Sequence, residues 1–73
     1  MKKIFKIRYV SKQGLHWTMY TEDLNIVRDK IKSCFKQRLE ATATEGNNII
    51  AKVWRDATQR PMWNYLIEGE AVS

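Results

Sequence analysis

Cationic and aromatic side chains that could bind a nucleic acid are interleaved near the start of the chain. They are Lys6, Arg8, Lys12, His16 and Tyr20. Cations attract phosphates and aromatic rings stack on bases, so this combination predicts a surface that binds single-stranded RNA or DNA. A solvated strand face explains the same residues, because lysines also protect the edges of sheets from aggregation.

A second group of residues indicates a protein interface near the end of the chain. Segments 49–55 and 62–68 both carry apolar side chains in each of their two alternating sets. Aromatic residues and methionine are enriched at the centres of protein interfaces. The predicted interface residues are Ile50, Trp54, Met62 and Trp63. Strand register decides whether Trp54 shares its face with Met62 and Leu66 or with Trp63, Tyr65 and Ile67, and the sequence leaves that choice open.

Catalytic, metal-binding and cofactor-binding motifs are not recognisable. Cys34 and His16 are the only thiol and imidazole, whereas a structural zinc site requires four ligands. The acidic residues show no spacing that requires a paired-carboxylate mechanism, and the three glycines are too dispersed for a phosphate-binding loop. We therefore expect a protein that is not an enzyme and that uses no metal and no cofactor.

Length and cysteine content limit the class of protein. A chain of 73 residues predicts one small domain covering residues 1–73 and leaves little room for an enclosed active-site cleft. Its single cysteine cannot form an intramolecular disulfide, which favours the cytoplasm. Lys6 and Arg8 interrupt the apolar run that an export signal would need, and no stretch is long enough for a transmembrane helix.

The positive charge is concentrated at the start of the chain. Net charge is +5, and residues 1–20 carry five bases and no acid, whereas residues 42–73 carry three bases and four acids. This asymmetry favours an anionic partner, and nucleic acid is the commonest one. A modest positive charge also serves solubility, so both interpretations remain open.

Periodicity predicts two hairpins flanking one helix. The predicted strands are residues 4–10, 15–20, 49–55 and 62–68, and the predicted helix is residues 22–41. Thr21 is the expected N-cap, residues 42–48 are the expected loop, and residues 69–73 are the expected loose tail. The turn at residues 11–14 ends in Gly14, which is suited to a positive φ.

The helix presents one apolar stripe. At 100° per residue, the stripe is formed by Leu24, Val27, Ile31, Cys34, Phe35 and Leu39. The predicted fold is therefore α+β, a two-layer ββ-α-ββ sandwich with a four-stranded, mainly antiparallel sheet and the helix on one face. Four strands are wider than one helix, so we expect an uncovered sheet face.

Two functions follow as hypotheses from these patterns. The first is a small accessory or regulatory module that binds RNA or DNA through the basic, aromatic first hairpin. The alternative is a protein-interaction module, either a homodimer or an inhibitor or adaptor of a larger protein, that uses the apolar second hairpin.

Overall fold

The computed structural model describes residues 3–58, 60 and 62–69. It contains one helix and five strands in the order ββαβββ. Their bounds are β1 Phe5–Val10, β2 His16–Thr21, α1 Leu24–Gln37, β3 Ala41–Glu45, β4 Asn48–Arg55 and β5 Trp63–Ile67. Of the predicted tail at residues 69–73, all but Gly69 lies outside the described residues.

The first hairpin forms where the alternation of its residues predicts it. β1 and β2 are antiparallel, with uninterrupted pairing from Phe5 opposite Thr21 to Val10 opposite His16. Gly14 has a φ of 82°, the left-handed conformation that the sequence predicts for the end of this turn. The alternating residues Phe5 and Ile7 are buried, as expected for a strand with one face in the core.

The helix is shorter than predicted at both ends. Thr21 is still paired in β2, and the N-cap is Asp23, whose Oδ1 accepts a hydrogen bond of 2.8 Å from the Asn25 N–H. At the other end Arg38 adopts a left-handed φ of 58°, and the Leu39 N–H donates to the Cys34 carbonyl oxygen at 2.9 Å. This geometry ends α1 and directs the chain back to the sheet.

The prediction of a four-stranded sheet is wrong, because residues 41–45 form a strand. The sequence Ala-Thr-Ala-Thr alternates small buried residues, Ala41 and Ala43, with the β-branched residues Thr42 and Thr44. β3 pairs with β1 on one side and β4 on the other, so it is a central strand. Gly46, with a φ of 59°, begins the two-residue turn into β4, the position where glycine favours a type II′ turn.

The five strands form one antiparallel sheet in the order β2-β1-β3-β4-β5. The predicted fold class is confirmed: the fold is α+β, with one helix packed against an antiparallel sheet. Thus β4 and β5 pair as the predicted second hairpin, and β2 and β5 are the two edge strands.

The core lies between α1 and the side of the sheet that faces it. Val27, Ile31 and Cys34 supply the helix side of the core. The strand side is formed by Phe5, Ile7, Ala41, Ala43, Ala51, Val53 and Ile67. The alanines of the central strands leave room for the helix. The other side of the sheet has no helix against it within the described residues, and that side carries the candidate site.

Candidate nucleic-acid interface

The sheet side that faces away from α1, here called the open face, is defined by the strand register. Successive side chains on a strand alternate between faces, and directly opposed residues of antiparallel strands share a face. Ile7 is buried on the helix side, opposite Met19 and Ala43. Its neighbours Lys6 and Arg8 therefore project from the open face.

A row of five residues crosses the middle of the open face, one from each strand. The register gives the order Thr18, Arg8, Thr42, Lys52 and Leu66. At about 4.8 Å between adjacent strands, Arg8 and Lys52 originate about 10 Å apart with a threonine between them. Two cations at this spacing, separated by a small hydroxyl side chain, can contact neighbouring phosphates of one strand.

The first aromatic side chain of the open face lies at one corner. Tyr20 pairs with Lys6, which pairs with Thr44, and Thr44 pairs with Ile49. Tyr20 is 64% exposed, so both its ring and its hydroxyl are accessible. An exposed aromatic ring next to a lysine combines a stacking surface with a phosphate contact.

The second aromatic side chain lies toward the opposite corner. Trp54 pairs with Asn64, and the Lys52 ammonium nitrogen lies 5.0 Å from the centroid of the indole ring. This distance is within the range of a cation–π contact. Trp54 lies three strands and two rows away from Tyr20, which places the two rings about 19 Å apart along a diagonal of the sheet. Arg8 and Lys52 lie between them.

Two cations of the open face, Lys6 and Arg8, are not held in salt bridges by described residues. Lys3, by contrast, is paired with Glu45 at 3.6 Å on the other side of the sheet. Acidic residues also lie at the border of the open face: Glu40, which lines the same depression as Arg8, and Glu68, two residues after Leu66 at the end of β5. The side chains of Lys6 and Arg8 are therefore available to contact a polyanion.

Four of the five predicted nucleic-acid-binding residues are on the open face, namely Lys6, Arg8, His16 and Tyr20. His16 pairs with Val10 at the border and lines, together with Arg8, a shallow depression of about 340 Å³. Lys12 is in the turn, where it lines a groove beside the C-terminal end of α1. The structure therefore does not bring Lys12 together with the other four.

The predicted protein-interface residues are divided between the two sides of the sheet. Trp54 is on the open face, while Trp63 is on the helix side and packs against the core. Ile50 also packs against the core, beside the register shift between β3 and β4. Met62 precedes β5 and is 44% exposed, and its sulfur accepts a long contact of 4.0 Å from Arg55.

Several residues that complete the open face were not singled out by sequence. Lys52 lies between the buried residues Ala51 and Val53, and this alternation is the signal that places it on the outward side. Thr42 and Thr44 carry the same signal once residues 41–45 are treated as a strand. Leu66 joins the predicted residue Trp54 on the open face through the observed β4–β5 register, which is one of the two alternatives that the sequence left open.

The described residues form neither a metal-binding cluster nor a membrane-spanning helix. Residues 3–58, 60 and 62–69 contain no group of three or more His, Cys, Asp or Glu side chains arranged to hold a metal ion. Over the same residues, no helix has the length and apolar character needed to cross a bilayer.

Comparisons with known proteins gave no match. The chain matches no protein-family model, and neither a curated protein nor a solved structure is significantly similar to it.

Proposed function

We propose that this protein is a non-enzymatic module that binds single-stranded RNA or DNA across the open face. The observation that supports the proposal is the diagonal from Tyr20 to Trp54, with the cations Lys6, Arg8 and Lys52 between the two rings. Phosphates would contact the cations and bases would stack on the rings. The first hairpin supplies most of this surface, and β4 extends it.

The shape of the surface favours a single strand over a duplex. The side chains of the open face contact only a ligand that lies directly on the sheet. Duplex DNA, by contrast, is commonly read by a protein element that is inserted into a groove. Exposed rings such as Tyr20 require unstacked bases as partners. No enclosed cavity is needed, since the ligand lies along the sheet.

The first test is titration of fluorescently labelled oligonucleotides of about 6 nucleotides, at salt concentrations from about 50 to 200 mM. We expect single strands to bind more tightly than duplexes and log affinity to fall linearly with log salt concentration. For single strands the slope changes by about 0.7 per phosphate contact, so Lys6→Ala combined with Arg8→Ala should reduce it by about 1.4. The matched control is Lys32→Ala combined with Lys36→Ala, which removes the same charge from α1 and should leave the slope unchanged.

The aromatic contribution has its own matched pair on one strand. Tyr20 and Trp17 are both more than half exposed, but they lie on opposite sides of β2. Loss of a stacked ring costs about 1–3 kcal/mol per base, so Tyr20→Ala should weaken binding by about 5- to 150-fold. Trp17→Ala should leave the affinity for these short strands unchanged. Equal losses in the two variants, or the absence of saturable binding at about 50 mM salt, would refute the proposal.

A protein partner on the open face is the second candidate, and the exposed apolar residues favour it. Ile49 is 57% exposed and Leu66 is 49% exposed, both on the same side as Trp54. Aliphatic residues of this kind contribute to protein interfaces more than to phosphate contacts. If the oligonucleotides do not bind, capture of a protein by the wild type but not by a Trp54→Ala variant would support this alternative.

A further inference from the structure

The edge strand β2 has no partner on its outer side among the described residues. It is the first strand of the order β2-β1-β3-β4-β5 and pairs with β1 over all six of its residues. A free edge of this kind exposes a row of backbone donors and acceptors that a further strand can pair with.

The identity of the free backbone groups follows from two hydrogen bonds. The Ser11 N–H donates to the Leu15 carbonyl at 2.8 Å, and the Val10 N–H donates to the Glu40 carbonyl at 3.1 Å. Hydrogen-bonded and non-hydrogen-bonded pairs alternate along an antiparallel ladder. The odd-numbered residues of β1 therefore bond to β2. Within β2, it is His16, Thr18 and Tyr20 whose N–H and C=O groups point outward.

The edge of β2 lacks the features that normally prevent strand pairing. Soluble proteins protect such edges with charged residues, proline, bulges or very short strands. The segment His-Trp-Thr-Met-Tyr-Thr contains no lysine, arginine, carboxylate or proline, and its pairing with β1 has no register shift. Most of its side chains are exposed, including Trp17 at 52%.

We propose that β2 pairs with β2 of a second copy of this chain, antiparallel and centred on Thr18. A two-fold axis perpendicular to the sheet keeps the two open faces on the same side and places Thr18 opposite Thr18 of the partner. His16 is then opposite Tyr20 in both directions. In this register, His16, Thr18 and Tyr20 of each copy all pair with the other copy, through about six N–H···O=C bonds. If one strand were shifted by one residue along the other, fewer of these bonds would form. The result is one continuous sheet of ten strands.

The side chains are self-complementary in the same register. On the helix side, Trp17 is opposite Met19 of the partner, a pairing in which sulfur contacts an aromatic ring. The half-exposed ring of Trp17 thereby gains an apolar neighbour.

The test uses the fact that residue 18 is opposite itself. Sedimentation velocity at about 0.15 M salt should show wild-type chains of 8.7 kDa in a concentration-dependent equilibrium with dimers. Thr18→Lys and Thr18→Glu each place like charges opposite each other, which should raise the dissociation constant about fivefold. An equimolar mixture of the two variants should form heterodimers more tightly than either variant pairs with itself. Thr42→Lys places the same charge on the open face of β3 and should leave dimerisation unchanged.

A second measurement needs no variant. Amide hydrogen exchange at His16, Thr18 and Tyr20 should slow as the protein concentration rises, while exchange at Trp17 and Met19, already bonded to β1, should not change. A monomer at concentrations up to about 1 mM, a dimer insensitive to the charge at residue 18, or a mixture that fails to pair would each overturn the proposal.

Discussion

Cys34 lies on the face of α1 that packs against the sheet, with 2% of its surface exposed. Burial raises the pKa of its thiol above the ordinary value, and the nearby Lys30 ammonium opposes that shift only in part. The thiolate is the reactive form of cysteine, and here it is disfavoured at neutral pH. The sequence predicted a core role for this residue from its place in the apolar stripe, and the structure confirms it.

This burial gives a prediction for thiol reactivity. At pH 8 a thiol-specific reagent such as Ellman's reagent should modify native protein much more slowly than protein unfolded in denaturant. The difference between the two modification rates should persist until the pH reaches the raised pKa of Cys34. Below that pH the buried thiol stays neutral in the native protein, because burial disfavours the thiolate. Equal rates in native and unfolded protein would show that Cys34 is accessible, contrary to its position in the core.

At the scale of elements, β3 is the strand that the sequence pattern does not predict. Its strand pattern consists of alanines and threonines, which lack the large apolar residues by which strands are normally recognised. Alanine also favours helices, so the predicted helix was extended to Ala41. Tertiary packing favours a strand at residues 41–45, because the small side chains of Ala41 and Ala43 let α1 lie close to the central strands.

The close approach of α1 to β3 gives a prediction with an internal control. Ala43 is fully buried, so Ala43→Leu adds side-chain volume to a filled core and should reduce the free energy of unfolding by about 1–3 kcal/mol. Thr42→Leu introduces the same side chain on the open face and should change stability by less than about 0.5 kcal/mol. Denaturant unfolding followed by circular dichroism measures both. If Thr42→Leu reduced the free energy of unfolding more than Ala43→Leu, the placement of Ala43 on the helix side and of Thr42 on the open face would be wrong.

Much of the candidate site was predictable, because alternation fixes faces within one strand. The alternation in β1 predicts that Lys6 and Arg8 lie on the face of the strand away from Phe5 and Ile7, and the structure confirms this. The β5 residues that share a face with Trp54 were not predictable, since they depend on the register between strands. The shift between Ala43 and Thr44 and the pairing of Trp54 with Asn64 are properties of the assembled sheet.

At the scale of the whole molecule, the two proposals combine into one surface. One sheet of five strands is about 19 Å wide between its outer strands. Pairing through β2 would make a ten-stranded sheet about 43 Å wide, with both open faces on the same side. The exposed Tyr20 residues of the two copies would then lie near the centre of that surface. A long single strand could contact both copies, whereas a short strand could contact only one.

Because coupling between binding and association is reciprocal, strand length should control the effect of blocking the dimer. At about 3.4 Å per nucleotide, a strand of about 6 nucleotides matches one sheet and a strand of about 13 nucleotides matches two. Thr18→Lys should therefore weaken binding of the longer strand, because the second contact is no longer intramolecular, and leave affinity for the shorter strand equal or slightly higher. Fluorescence anisotropy with both lengths, using Thr42→Lys as the control for added charge, measures the difference. If Thr18→Lys affects both lengths equally, residue 18 acts within one copy, and the two surfaces are not joined when nucleic acid is bound.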